Sequence, residues 1–470
     1  MAVIRKRWQS HDRKSHHVTS RDWKSPIDLK VRVKLTGDGT NIGKRLHVVN
    51  FGFTILDEGD KAYSAAGNHC LAIFKEPESY DSLKKCLSDI ISEVEQLKSI
   101  EVNGMTFEID YYLGGDWKFL ALATGIDSAS STYACIWCKC PASERHISSQ
   151  KWSMLDPKLG ARTIQENIRL SSSRSKNKYN VSRLPLFPNI PLTHVVVDNL
   201  HMFLRVGDTL IDLLIAELRK MDNVDKSLHV RSLDGLSHLA TYQKSLQQMG
   251  ISGFSFWIGK ESKKLKWRTL TGPEKLIVFS KINIPELFPG LENKDDIQNL
   301  WRDLLEVNTL LSTRPDKVTT ARMKQFEIRS KAFVDKFVEL YPAKHVTPYM
   351  HCMMQHVSEF MELHGSILPF TQQGLEKYND LMTKDFFRST SHRGDDSLLQ
   401  IMQKQNRIEH LEGLGVKRQK KHEITCGNCR QQGHNKWTCQ APCANCGAKP
   451  FKAHLIKLGS RKIASCISEN

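Results

Sequence analysis

The chain has 470 residues, a net charge of +17 and twelve cysteines. Hydrophobic residues at 40% and aromatics at 8% suffice for a packed core, which excludes wholesale disorder, and the length allows two to four domains. The excess of 68 Lys and Arg over 51 Asp and Glu favours a polyanionic partner, of which nucleic acid is the commonest.

No apolar run reaches the roughly 18 residues of a membrane span. The longest, Leu210 to Leu218, is interrupted by Asp212 and Glu217. Residues 1–28 are basic and polar, read as a tail with no apolar core for a secretory signal. The expectation is an intracellular chain with reduced thiols, in which cysteines act as metal ligands or buried thiols. Cys70 and Cys86 read as core residues.

From Leu29 the text becomes periodic. Leu29, Val31, Val33 and Leu35 alternate with charged residues, predicting a half-buried strand that ends in Thr36-Gly37-Asp38-Gly39. Leu46–Leu56 and Cys70–Phe74 read as two more strands. Leu83, Leu87, Ile90, Ile91, Val94 and Leu97 mark one face of a helix over 81–97. A fourth strand, Thr106–Leu113, ends in Gly114-Gly115-Asp116. Two strands therefore end in Gly-Asp, 78 residues apart, a pair that makes turns or places carboxylates at strand ends. Residues 141–345 read as mostly helical, with apolar-faced segments at Phe203–Leu218 and Trp301–Leu311. Ser171–Lys178 reads as an exposed basic loop, and Pro185, Pro188 and Pro191 as an extended connection.

Glu376 sits early in a helix whose face carries Leu375, Tyr378, Leu381, Met382 and Phe386. Asp38, Asp116 and Glu376 form a carboxylate trio of the kind that holds two Mg²⁺ or Mn²⁺ ions for in-line phosphodiester chemistry. Cys135-x2-Cys138 needs two further zinc ligands, with Cys140 and His146 nearby and His351-x4-His356 far along the chain. The i, i+5 spacing of that histidine pair does not share one face of a regular helix.

From Gly413 the text is polar and basic. Lys417 to Lys421 is a linker that reads equally as a nuclear-import patch or a solvated charge run. Cys426-x2-Cys429-x4-His434-x4-Cys439 has the spacing of a zinc knuckle, in which three thiolates and one imidazole close a tetrahedral shell. Such knuckles bind single-stranded DNA or RNA. Trp437 would stack on a base, and Arg430 and Lys436 would meet phosphates. A metal-held peptide contacting only protein is the other reading. Cys443, Cys446, His454 and Cys466 follow with irregular spacing, a weaker candidate for a second site.

In order, these features resemble the catalytic core of the V(D)J recombination-activating recombinase and its Transib-type and RAG-like transposase relatives. "VKLTGDGT" followed by "HVVNFGFTIL" is similar to the first strand pair, and "FEIDYYLGGDWKFLALATGIDSASSTYACIWC" to the segment carrying the second aspartate and the zinc cysteines. Cys135 stands 19 residues after Asp116, "HCMMQH" resembles the zinc histidine pair, and Glu376 lies 20 residues beyond His356. The resemblance covers about Leu29 to Arg393, and "VVVDNLHMFLRVGD" also resembles a family stretch.

The resemblance implies an α/β chain: an RNase H-like fold interrupted by a long, mostly helical insertion, plus the small knuckle tail. The expected division is 1–28 tail, 29–140 first part of the core, 141–345 insertion, 346–412 histidine ligands and final catalytic helix, and 413–470 linker and knuckle. It implies Asp38, Asp116 and Glu376 as catalytic metal ligands, and Cys135, Cys138, His351 and His356 as a structural zinc site. It further implies a nuclear DNA-cleaving and strand-transfer enzyme of the DDE type, acting as a homodimer with an accessory recombinase subunit and without a membrane. Asp198 and His201 read first as helix-start residues and second as DNA contacts. Only 37 residues precede Asp38, fewer than the family's N-terminal region needs, which predicts a truncated or domesticated core. The competing readings are a non-catalytic nucleic-acid-binding knuckle protein derived from a transposase, and a DNA-free scaffold held by zinc.

Overall fold

A computed structural model describes residues 29–43, 46–224, 232–391 and 396–416. The chain divides into two compact units, Met1–Lys404 and Gln405–Asn470. The second is described only over residues 405–416, where a helix ends.

The first unit is built on one mixed sheet. Strands β1 (Lys30–Ile42), β2 (Leu46–Ile55) and β3 (His69–Phe74) form an antiparallel meander. Helices α1 (Tyr80–Cys86) and α2 (Ser88–Gln96) follow, then a short strand β4 (Ser99–Val102) and the long β5 (Met105–Gly115). β5 runs parallel to β1, with Thr36 opposite Gly114, and lies antiparallel to β4. Helix α3 (Trp117–Thr124) leaves the end of β5, and after α4 (Ile164–Ser171) the strand β6 (Val195–Val197) joins β5 in parallel. The spatial order is β3-β2-β1-β5, with β4 and β6 both pairing to β5.

Several expectations change against this sheet. β1 does not end at Asp38. It continues to Ile42, and Asp38 pairs with Asn50 of β2 inside the antiparallel ladder. What ends near Asp38 is the parallel pairing to β5, at Thr36. The strand is also not half-buried, because Lys34 and Thr36 are as enclosed as Val33 and Leu35. A segment from far along the chain covers that face: Lys34 Nζ donates to Thr371 O at 3.0 Å, and Thr36 Oγ1 to Gln372 Oε1 at 2.7 Å.

The helix expected over 81–97 breaks at Leu87, whose ψ of 9° closes α1 before α2 begins. The strand expected as the fourth is the fifth, because β4 was not legible as a separate element. Cys70 and Cys86 are half-buried rather than core. The stretch 141–345, expected mostly helical, carries strand β6 at the end of β5: three buried valines whose run is short and continuous, as a strand covered on both faces requires.

The inserted helices pack around α5 (Asn199–Met221), α6 (Ser237–Gln248), a small hairpin β7 (Phe256–Ile258) and β8 (Leu265–Trp267), α7 (Gly272–Lys281), α8 (Ile284–Leu287), α9 (Lys294–Leu311) and α10 (Thr320–Leu340). Trp301 of α9 is fully buried against Phe279 of α7, ring centroids 4.6 Å apart, and Phe203 of α5 lies 6.0 Å from Phe279. The chain then returns to the sheet through α11 (Pro348–Gln355), α12 (Val357–His364), α13 (Gln373–Ser389) and α14 (Asp396–Gly413). Ile42, Val48, Tyr378, Met382, Leu398 and Ile401 form a second apolar cluster that fixes α13 against the ends of β1 and β2.

Candidate metal centre and acidic site

Cys135 and Cys138 lie in the irregular segment after α3, and His351 on α11. All four side chains of the quartet Cys135, Cys138, His351 and His356 are fully buried. Their ligand atoms all lie within 4.8 Å of one another. Cys135 Sγ is 3.4 Å from His356 Nε2, and Cys138 Sγ is 3.2 Å from His351 Nε2. Sulfur and nitrogen at the corners of a tetrahedral zinc shell stand about 3.5 Å apart, so the quartet has close to the required dimensions.

The spacing problem of the histidines is resolved by the backbone. α11 ends at Gln355, His356 caps it with φ −119° and ψ −23°, and α12 starts anew at Val357. The break turns an i, i+5 pair onto one point. Trp137 Nε1 donates to Val195 O at 2.7 Å, and Arg162 Nε to Cys138 O at 2.8 Å, which holds the cysteine segment against β6. His356 Nδ1 lies 3.4 Å from Glu359 Oε2, and Glu359 is itself held by Ser153 Oγ and Met154 N. Metal-bound histidines habitually carry such a carboxylate behind them.

The electrostatics fit a cation. Burial opposes charge on Cys135, yet the Cys138 thiol and His356 hold its pKa well below the ordinary thiol value. Burial and the Cys135 sulfur push Cys138 up. Burial also opposes charge on His356, but Cys135 and Glu359 raise it to about 9. His351 Nδ1 is buried without a hydrogen-bond partner. A bound divalent cation would take the place of the protons this cluster now shares. Cys140 is buried but turns its thiol to Pro141 O, and it and His146 stay outside the quartet.

The three carboxylates come from three separate elements. Asp38 lies within β1, Asp116 follows β5 directly and caps α3, accepting from Phe119 N at 2.8 Å, and Glu376 occupies the first turn of α13. The glycines before both aspartates serve packing and not turns. A Cβ on Gly37 or on Gly115 would come within 2.5 Å of the Phe119 ring, which packs against both positions.

Asp38 feels both partners. Burial raises its pKa first, then the charges of Glu376, Asp116 and Glu78, to about 8. Glu376 is raised by burial, and the Asp198 and Asp116 charges add to it against His201. Each carboxylate meanwhile has a local partner. Asn379 Nδ2 donates to Asp38 Oδ2 at 2.7 Å, and His201 Nε2 lies 3.6 Å from Glu376 Oε1. The trio shares one neighbourhood without the tight convergence of the quartet: among the described residues, only the cysteine–histidine group gathers three or more such ligand atoms within 4.8 Å.

Sequence reasoning placed Asp198 and His201 at a helix start, and Asp198 is the N-cap of α5. It missed how much converges there. Asp198 is fully buried and accepts from Leu200 N, His201 N, His201 Nδ1 and, across the fold, Gln372 N at 2.9 Å. Burial would lower the His201 pKa, but Asp198, Asp116 and Glu376 raise it to about 9. Lys34, Glu78, Gln372 and Asn379 also belong to this neighbourhood and carried no signal. A lysine in a strand reads as exposed until the element that covers it is known.

The knuckle residues Cys426, Cys429, Arg430, His434, Lys436, Trp437 and Cys439 lie outside the described residues, as do Cys443, Cys446, His454 and Cys466.

No family model matches the chain. Over 352 residues it is 24% identical to the V(D)J recombination-activating protein 1 of Oryctolagus cuniculus and equally to that of Sus scrofa. The match covers 69% of this chain and 31% of each relative, so the chain spans about a third of the length of the curated relatives it matches. It is thus distantly similar to recombination-activating proteins.

Proposed function

We propose that the chain is a transposase-derived DNA recombinase core of the DDE type, with Asp38, Asp116 and Glu376 as its catalytic metal ligands. The observation that carries the reading is the carboxylate cluster. Asp38 on β1, Asp116 just after β5 and Glu376 on α13, 78 and 260 positions apart in sequence, lie close enough that the Glu376 and Asp116 charges add to burial in raising the Asp38 pKa to about 8. Like charges held together in a partly buried site favour a divalent cation. A meander followed by two parallel strands on the far side of β1 supports the RNase H-like reading, with α5 to α10 as the insertion. The distant similarity to recombination-activating proteins points the same way.

In this reading Asp38, Asp116 and Glu376 would hold two Mg²⁺ or Mn²⁺ ions, which when bound would activate the attacking oxygen and stabilise the leaving one. The chain's own part is placement. Asn379 anchors one oxygen of Asp38, the α3 amides anchor Asp116, and the Asp198–His201 pair steadies the Glu376 carboxylate. The attacking groups are water in the nicking step and a DNA 3′ hydroxyl in strand transfer. The quartet Cys135, Cys138, His351 and His356 is a structural zinc site. It ties the segment after Asp116 to the segment before Glu376, and so fixes two of the three carboxylates relative to each other. A homodimer, an accessory recombinase subunit, action in the nucleus and single-strand contacts by the knuckle belong to the same reading.

The test is strand nicking of supercoiled and linear DNA by the zinc-loaded protein in Mg²⁺ or Mn²⁺. Nicking that disappears in Asp38→Ala, Asp116→Ala and Glu376→Gln, with zinc content unchanged, is the expected result. DNA binding without cleavage under all these conditions returns the chain to the non-catalytic binding reading.

A further inference from the structure

The hairpin of β7 and β8 has no role in the metal chemistry, and its two faces differ. On the inner face Phe256 pairs with Trp267 and Ile258 with Leu265. Phe256 stacks edge-on against the buried Phe254, which meets Tyr242 of α6. Gln243 Oε1 accepts from Phe256 N at 3.0 Å, and Arg268 is fixed by Gly253 O and Glu274. The base of the hairpin is therefore rigid. On the outer face Trp257 stands directly opposite Lys266, and Trp257 is 43% exposed.

The tip adds Lys260, Lys263 and Lys264, all exposed. None of these four lysines forms an ion pair with a described carboxylate, whereas many lysines elsewhere on the first unit do. Unpaired cations beside an exposed indole match the two chemistries of a nucleotide: a phosphate and a base face.

The location is also informative. Trp267, Arg268, Thr269 and Leu270 line a depression of about 230 Å³ with Arg205, Asp208 and Asp212 of α5. Those three α5 residues also line a larger cleft of about 650 Å³ that reaches Asp116, Lys118 and Arg183. The two hollows share these α5 residues, and the first is lined on the hairpin side by Trp267 of the inner face.

We propose that the β7–β8 hairpin grips an unpaired DNA strand, Trp257 stacking on a base and Lys260, Lys263, Lys264 and Lys266 holding phosphates. The proposal rests on the nucleic-acid reading above but not on catalysis. An unpaired strand is the favoured occupant because a lone exposed indole gains from a base whose π-face is free, which duplex stacking denies it.

The experiment is anisotropy titration of the zinc-loaded full chain with a fluorescent 30-nucleotide single strand and with the matching duplex. Buffers contain no Mg²⁺ and no chelator, and salt is varied. Proteins carry Cys429→Ser throughout, so that the proposed knuckle does not mask the hairpin. Trp257→Ala is expected to weaken single-strand binding about tenfold and duplex binding much less. The triple variant Lys260→Ala, Lys263→Ala, Lys264→Ala is expected to lower the salt slope by about two, at about 0.7 per lost phosphate contact.

Single-strand binding equal to the unsubstituted hairpin in both variants overturns the proposal, as does equal loss on strand and duplex for Trp257→Ala. Weakened strand binding in a protein that never nicks DNA leaves the hairpin standing and removes the catalytic reading. Metal-dependent nicking with unaltered strand binding in both variants does the reverse.

Discussion

The first unit contains two clusters of metal-ligand side chains with opposite internal physics. The quartet of Cys135, Cys138, His351 and His356 is self-complementary. Its sulfurs and imidazoles attract, hydrogen-bond and converge within 4.8 Å. The trio of Asp38, Asp116 and Glu376 is self-repelling, and each member leans on a separate partner: Asn379, Phe119 N and His201. A structural site can be close to its bound geometry before any ion arrives. A site of bare carboxylates cannot, and its unmet repulsion is what draws a divalent cation in.

Substitutions should therefore move stability in opposite directions at the two clusters. The largest effect is expected at the quartet. His351→Ala or Cys138→Ser should abolish zinc retention and cost at least about 3–5 kcal/mol, the usual penalty for leaving one member of a buried charged group uncompensated. Metal analysis and denaturant midpoints would measure both, and a zinc-free variant of wild-type stability would break the comparison.

Behind the quartet, Glu359→Gln removes the carboxylate at His356 Nδ1. Zinc affinity should fall about 10–100-fold, read by competition with a chromogenic chelator. At the trio the sign reverses. Asp38→Asn should raise the stability of the Mg²⁺-free protein by about 1–2 kcal/mol, the scale on which relieving a functional site stabilises a fold, while ending nicking.

Stability should also depend on pH. The folded Asp38 carboxyl keeps its proton up to about 8, against 3.8 when unperturbed. Its stabilisation is thus complete below about pH 4 and is lost as pH rises through 8. Denaturant midpoints in zinc-loaded, Mg²⁺-free buffer should carry this falling contribution. Asp38→Asn should remove it, and saturating Mg²⁺ should offset it.

The sequence revealed these clusters unequally. Ligand identities and order were legible, because short spacings such as Cys135-x2-Cys138 and Gly115-Asp116 survive as text. The strands β1, β2, β3 and β5 were legible from alternation. The geometry that makes the sites work was not. The i, i+5 spacing of His351 and His356 argued against a shared face, and only the helix break at His356 reconciles them.

Gly37 read as a turn because Gly-Asp usually is one, whereas here a distant ring, Phe119, demands the missing side chain. Lys34 and Thr36 read as solvent-facing because their cover, residues 371 and 372, lies more than 300 positions away. β6 was hidden by its length: three valines make no period. Long-range cover and one-residue breaks leave no local pattern.

The central claim is that Asp38, Asp116 and Glu376 hold divalent cations. Anomalous scattering at the manganese and zinc edges, from crystals of the zinc-loaded protein grown with Mn²⁺ and DNA, tests it most directly. The account predicts one zinc peak among Cys135, Cys138, His351 and His356. It also predicts two manganese peaks about 3.5–4 Å apart among the three carboxylates. A zinc peak at the quartet with no manganese at the carboxylates would contradict it.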